Sequence, residues 1–190
     1  MTVVIGIKDK GKVYIGSGTQ VSAGDVKTDG IVKIWQYKNL NIILGGAGDA
    51  RAVQIIQTAD DLFDEALMAL NAIDERYLCR IFATRVREEL PTNKVIKDET
   101  VDELANSPIV LLVGINDELY QIDFNGVIIK VDESTAIGSG ELVAKGVLYV
   151  TKNKKPLDRI KLSIEACSKC LRSVNSEVVV LSTQPQREGA

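Results

Sequence analysis

Strand-forming and helix-forming segments alternate in blocks rather than one by one, and that segregation limits the folds open to this 190-residue chain. β-rich runs over Thr2–Lys8 and Lys12–Ser17 are joined by the tight-turn sequence Asp9–Gly11, and Ile31–Tyr37 with Asn41–Leu44 reads as a second hairpin. From Asp49 to Leu90 there is neither glycine nor proline, and apolar residues recur at helical spacing. That pattern predicts two helices, the first with the Asp49 carboxylate at its positive end. After a polar stretch over 91–107 the strands return as a meander over 108–117, 118–124 and 126–132, with turns at Asn116-Asp117 and Asn125-Gly126. A short strand ending in Gly138-Ser139-Gly140 leads to a helix over Glu141–Val150. A helix from Pro156 to about Arg172 and a last strand over Glu177–Thr183 complete the order. Strands, helices, strands and helices in that sequence predict an α+β fold of two packed antiparallel sheets with helices outside. The length fits one domain over 1–190, with 183–190 expected to fray.

Composition narrows the function. A net charge of −3 argues against nucleic acid or an anionic membrane as the main partner. The one basic cluster, Lys152 to Lys155, reads as a solvated loop before Pro156. No run reaches the roughly 18 apolar residues of a spanning helix, and no secretory signal is recognisable, so a cytoplasmic protein is expected. Cys167 and Cys170 form a C-x-x-C, but it falls inside a helical pattern with no second pair, so reduced thiols are expected and no metal ligands are assigned. The chain has no histidine. Ser-His-Asp, Cys-His and HExxH chemistries are therefore excluded, and a hydrolase built from this sequence must find its base elsewhere.

Three stretches carry a resemblance. "TVVIGIKDKGKVYIGSGTQVSAGD", "IILGGAGDARAVQ" and "AIGSGELVAKG", in that order and spacing, resemble the proteasome β-subunits and the related bacterial HslV peptidase. These are N-terminal-nucleophile hydrolases with a four-layer α/β/β/α sandwich, and the resemblance implies that fold. It also implies a site. Removal of Met1 would leave Thr2 with a hydroxyl and a free α-amine, whose ordinary pKa of about 7.7–8.0 suits a general base. Lys33 falls at the family's active-site lysine, where its ammonium would favour developing negative charge. Gly45 falls where a backbone N–H would enter the oxyanion hole, and Ser139 matches the serine near the threonine amine. Val21, Ile31, Ile43 and Ala47 match positions lining the substrate side-chain pocket, which implies a preference for hydrophobic residues before the cleaved bond.

The chain departs from the pattern where the family has an aspartate paired with the lysine. Gly18 occupies that slot, and Ser17 is expected to project to the opposite face. Three alternatives follow. Asp25 or Asp29 replaces the acid, Lys33 is neutral and acts as a base, or the site is slow or dead. The proteasomal Asp…Ser pair is also not evident in "KCLRSVNSE". Two function readings result, a threonine peptidase or a catalytically silent structural or assembly subunit of the same fold. Either implies a homo-oligomer of stacked rings. A peptidase of this kind receives peptides or unfolded protein from an ATP-driven partner, a separate chain here because no GxxxxGK[ST] is present. No cofactor is assigned. A sodium ion held by backbone carbonyls after the Pro156 helix is implied by resemblance alone. Gly138-x-Gly140 also opens a dinucleotide fingerprint, but Val143 stands at its third glycine.

Overall fold

A computed structural model describes residues 3–23, 26–38, 40–69, 72–92, 109–123, 125–172 and 174–184. Eleven strands and six helices are assigned among them. The first sheet has the order β10-β1-β2-β11, formed by Ser134–Gly138, Val3–Asp9, Lys12–Gly18 and Val178–Ser182. The second has the order β5-β6-β7-β8-β9, formed by Ile34–Gln36, Ile42–Gly48, Ile109–Ile115, Glu118–Ile122 and Ile128–Val131. Every neighbouring pair is antiparallel. A small hairpin, β3 (Val21–Ala23) with β4 (Val26–Thr28), lies between β2 and β5 in the chain.

Side-chain alternation along the strands sorts the apolar residues into three layers. Val4, Val13, Ile15, Ile34, Ile43, Leu112 and Leu119 pack between the sheets. Val3, Ile5 and Ile7 face helices α5 (Glu141–Val150) and α6 (Pro156–Cys170), meeting Ala144, Leu148, Ile160 and Ile164. Ile42, Leu44, Leu111 and Val113 face the other helices, meeting Val53, Ile56, Phe82 and Leu90. The molecule is thus an α/β/β/α sandwich, as expected. Glycines let the sheets approach: a Cβ at Gly45 would lie 2.6 Å from Val4 Cγ1 and 3.0 Å from Ile15 Cγ2. Gly45→Ala is expected to destabilise the fold by about 1–3 kcal/mol through overpacking, read from a lowered urea midpoint.

The glycine-free stretch after Gly48 differs from the expected two helices. It breaks into α1 (Ala50–Thr58), α2 (Glu65–Ala69), and α3 (Glu75–Tyr77) running through a π-helical turn (Leu78–Phe82) into α4 (Ala83–Thr92). Aspartates punctuate it, because a short carboxylate competes for backbone N–H groups at helix starts. Asp49 Oδ1 accepts from Ala52 N at 2.9 Å, Asp64 Oδ1 from Ala66 N at 3.0 Å, and Asp74 Oδ1 from Tyr77 N at 2.8 Å. β5 is also shorter than the expected Ile31–Tyr37, since the Ile31 N–H is already given to Thr19 O at 2.9 Å. Among the described residues no helix is long and apolar enough to cross a membrane.

Candidate functional site

Strand β1 opens beside the end of β10, with Val3 paired to Gly138. A Cβ at Gly140 would lie 2.8 Å from Val3 Cβ and 3.0 Å from Cys167 Sγ, so the Gly-Ser-Gly turn must be bare for α5 to begin against β1. Ser139 is exposed in that turn. Thr2, the expected nucleophile, lies outside the described residues.

Lys33 stands immediately before β5 and is 4% exposed. Its carbonyl accepts from Gly46 N at 2.9 Å, fixing its backbone to β6. Its Nζ donates to the carbonyl of Gln20, just past the end of β2, so the side chain ties the start of β5 to the loop that follows β2. Among the described residues Lys33 makes no ion pair. Burial lowers its pKa from 10.5 to about 8, because a desolvated ammonium is disfavoured. Of the two replacement acids considered, Asp25 lies outside the described residues. Asp29 instead accepts from Asn175 Nδ2 at 3.1 Å.

The face assignment at the missing acid is corrected by the structure. On β2, Val13 and Ile15 point into the layer between the sheets, while Tyr14 packs on the α6 side and a Cβ at Gly16 would meet Ile160. By alternation Ser17, 1% exposed, faces the inter-sheet layer and Gly18 faces away. A Cβ at Gly18 would lie 3.2 Å from Asn175 Oδ1 and 3.4 Å from Asn175 O. Ser17, and not Gly18, is therefore the β2 residue that faces the inter-sheet layer.

Strand parity also relocates the backbone donor. Asn116 N donates to Asn41 O at 3.2 Å, and Tyr37 N to Ile42 O at 3.0 Å. In an antiparallel ladder these two bonds assign odd residues of β6 to β7 and even residues to β5. The N–H of Gly45 thus turns towards Leu112 of β7. On the β5 side Gly46 N is held by Lys33 O, and the next N–H is that of Gly48, exposed and with φ 123°, where β5 no longer accompanies β6. Of the four expected pocket residues, Ile43 and Ala47 come together in the inter-sheet layer, each 2% exposed. Ile31 is half-buried beside Thr19, and the side chain of Val21 is outside the described set.

Sequence reasoning missed a polar clamp behind Lys33. Thr19 N donates to Asn175 Oδ1 at 3.1 Å, Asn175 Nδ2 donates to Thr19 Oγ1 at 2.9 Å, and Thr19 Oγ1 donates to Glu177 Oε2. The partners are 156 and 158 residues apart in sequence, so no local signal announces them. The other motifs carry no chemistry. Cys167 is buried with its thiol pushed up to about 11, chiefly by desolvation, and donates to Gly140 O at 3.4 Å. Gly138-x-Gly140 follows a strand that pairs antiparallel with β1, which is not a βαβ unit. After α6, where resemblance alone implied a sodium ion, Leu171 O accepts from Val174 N at 3.4 Å.

Comparison with known proteins agrees with this architecture. The family described as "Proteasome subunit" matches residues 2–180. No curated protein matches the sequence. Among solved structures the chain is similar to Thiobacillus denitrificans BPH in complex with epoxomicin, with a TM-score of 0.75 and 16% identity, covering 97% of this chain and 100% of that one. It is similar to eukaryotic HslV from Trypanosoma brucei, with a TM-score of 0.68 and 16% identity over 95% and 98% of the two chains. It is also similar to Anbu, an ancestral β-subunit from Yersinia bercovieri, with a TM-score of 0.71 and 15% identity over 95% and 81%.

Proposed function

The chain belongs to the proteasome subunit family, and on that premise we propose that it is a threonine-type endopeptidase whose nucleophile is the Thr2 hydroxyl, freed by removal of Met1. The observation that carries this reading is Lys33. A buried ammonium with no counter-charge among the described residues opposes folding, and such groups gather where charge develops during a reaction. Here its ammonium is held by the Gln20 carbonyl, and its backbone is tied to Gly46 in the glycine-rich end of β6.

The chemistry needs only groups of this chain. The Thr2 α-amine takes the hydroxyl proton, directly or through water, and the oxygen adds to the scissile carbonyl carbon. The Lys33 ammonium and a β6 backbone N–H, that of Gly48 by ladder parity, would face the resulting oxyanion. Collapse breaks the C–N bond, the ammonium of Thr2 returns its proton to the leaving amine, and water then cleaves the ester. Ser139 would orient the Thr2 amine from the turn against the start of β1. Ile43 and Ala47 give the neighbouring layer its apolar character, which suits a hydrophobic residue before the cleaved bond. The same reading includes homo-oligomeric stacked rings in the cytoplasm, fed by a separate ATP-dependent unfoldase. A silent structural subunit is the second reading, and the feature favouring it is Gly18 at the position where the resemblance places an aspartate.

Intact mass tests the reading first. A chain lighter by one methionine, cleaving a hydrophobic fluorogenic peptide, is the expected result. Full retention of Met1 together with no cleavage would leave the structural reading in its place.

A further inference from the structure

We propose that Asn175 is a positioning residue for Lys33, clamping Thr19 so that the Gln20 carbonyl and the lysine backbone are held in one arrangement. The inference rests on the reading of Lys33 as the active-site lysine. Thr19 is 4% exposed, and Asn175 engages it twice, accepting from its N–H and donating to its hydroxyl. The next residue, Gln20, carries the carbonyl that receives Lys33 Nζ. Thr19 O in turn accepts from Ile31 N, two residues before Lys33. One threonine thus fixes both the acceptor and the chain that delivers the donor. The outward second proton of Asn175 Nδ2 goes to Asp29 Oδ1 at 3.1 Å, which ties the same loop a third time.

Gly18 belongs to this device. With no Cβ it leaves the space that the Asn175 amide fills, 3.2 Å from where a Cβ would stand. A neutral amide is required there. Asp29 and Glu177 are the charged groups that face the clamp among the described residues, and a third carboxylate would be repelled by both while losing the two N–H donors. Orientation of the lysine is thereby supplied through hydrogen bonds to backbone and hydroxyl instead of a carboxylate.

The test uses the full chain with lysine labelled by 13C at Cε, Lys33 being assigned by its loss in Lys33→Met. Its titration is followed in the parent, Asn175→Ala, Gly18→Ala and the double variant, with peptide cleavage measured in parallel. Loosening the clamp admits water to the ammonium, so Asn175→Ala is expected to raise the Lys33 midpoint by about one pH unit. Gly18→Ala, which presses on the same amide, is expected to do the same, and the double variant to go no further. Cleavage should fall in kcat with little change in KM, its pH profile moving with the lysine. A Lys33 midpoint that stays fixed in Asn175→Ala and Gly18→Ala overturns the proposal. If Asn175→Ala does not fold, Gly18→Ala decides alone. A parent that cleaves no peptide counts against the peptidase reading only, because the lysine titration still answers for the clamp.

Discussion

Lys33→Met is expected to lower peptide cleavage by about 10³-fold while making the folded protein more stable by about 2–3 kcal/mol at pH 7. The two effects have one cause. A solvent-excluded cation stabilises an oxyanion strongly because little water screens it, and for the same reason it opposes folding. The folded lysine releases its proton at about 8 and the unfolded one at 10.5. Between those values the unfolded chain holds more protons, so the parent gains stability as pH rises. The penalty is complete below about 8 and gone above 10.5. Urea unfolding at pH 7 and pH 10 should therefore show Lys33→Met well ahead at the first and nearly level at the second. Equal stability at pH 7 would mean that the ammonium has a counter-charge in solution.

The rate profile of the parent separates two roles for the same group. A Thr2 amine acting as base gives a limb that rises near its ordinary pKa of about 7.7–8.0. If Lys33 acts as a cation, its own loss of charge near 8 turns the curve down and leaves a narrow bell. If it acts as a neutral base, the rate rises to a plateau.

How much of this was legible in the sequence depended on the range of the interaction. The layer order was, because it follows from local periodicity: Val3, Ile5 and Ile7 against Val4 encode two faces of one strand, and the structure buries them in two layers. Asp49 as a helix start was legible for the same reason. The breaks at Asp64 and Asp74 were not, because an aspartate cap ends one helix and starts the next without the glycine or proline that marks a break in the pattern. At the site, residue counting placed Gly18 opposite the lysine, whereas the alternation Val13, Ile15, Ser17 already carried the correct face. Gly45 was recognised from its motif, yet the direction of its N–H follows from hairpin register with β5 and β7, which only the paired strands define. Asn175 and Glu177 reach the site across the whole chain, beyond any local pattern.

That difference of faces yields the sharpest contrast between two neighbouring substitutions. Ser17→Asp would place a carboxylate in the inter-sheet layer, three residues before the carbonyl that holds Lys33, where an opposite charge restores the protonated form of a buried lysine. Its expected effect is to raise the Lys33 midpoint by about two pH units, extending the active range to higher pH. Gly18→Asp, the change that family comparison would suggest, is expected to raise that midpoint by no more than the about one unit of Gly18→Ala, through pressure on the Asn175 amide and not through pairing with the lysine. Its Cβ would meet Asn175 Oδ1 at 3.2 Å and Asn175 O at 3.4 Å, two acceptors that offer a carboxylate no hydrogen bond. Asp29 and Glu177 would repel it further. A loss of about 1–3 kcal/mol in stability is expected instead. Labelled-lysine titration of the two variants decides. A Gly18→Asp protein whose lysine shifts as far as that of Ser17→Asp would show that position 18 reaches the lysine and that β2 does not keep its side-chain alternation as far as Gly18. If Ser17→Asp moves it well beyond the shift of Gly18→Asp, the lysine site accepts a carboxylate from the face that now carries a serine, and an acid at Gly18 is kept out by the amide clamp that fills its place.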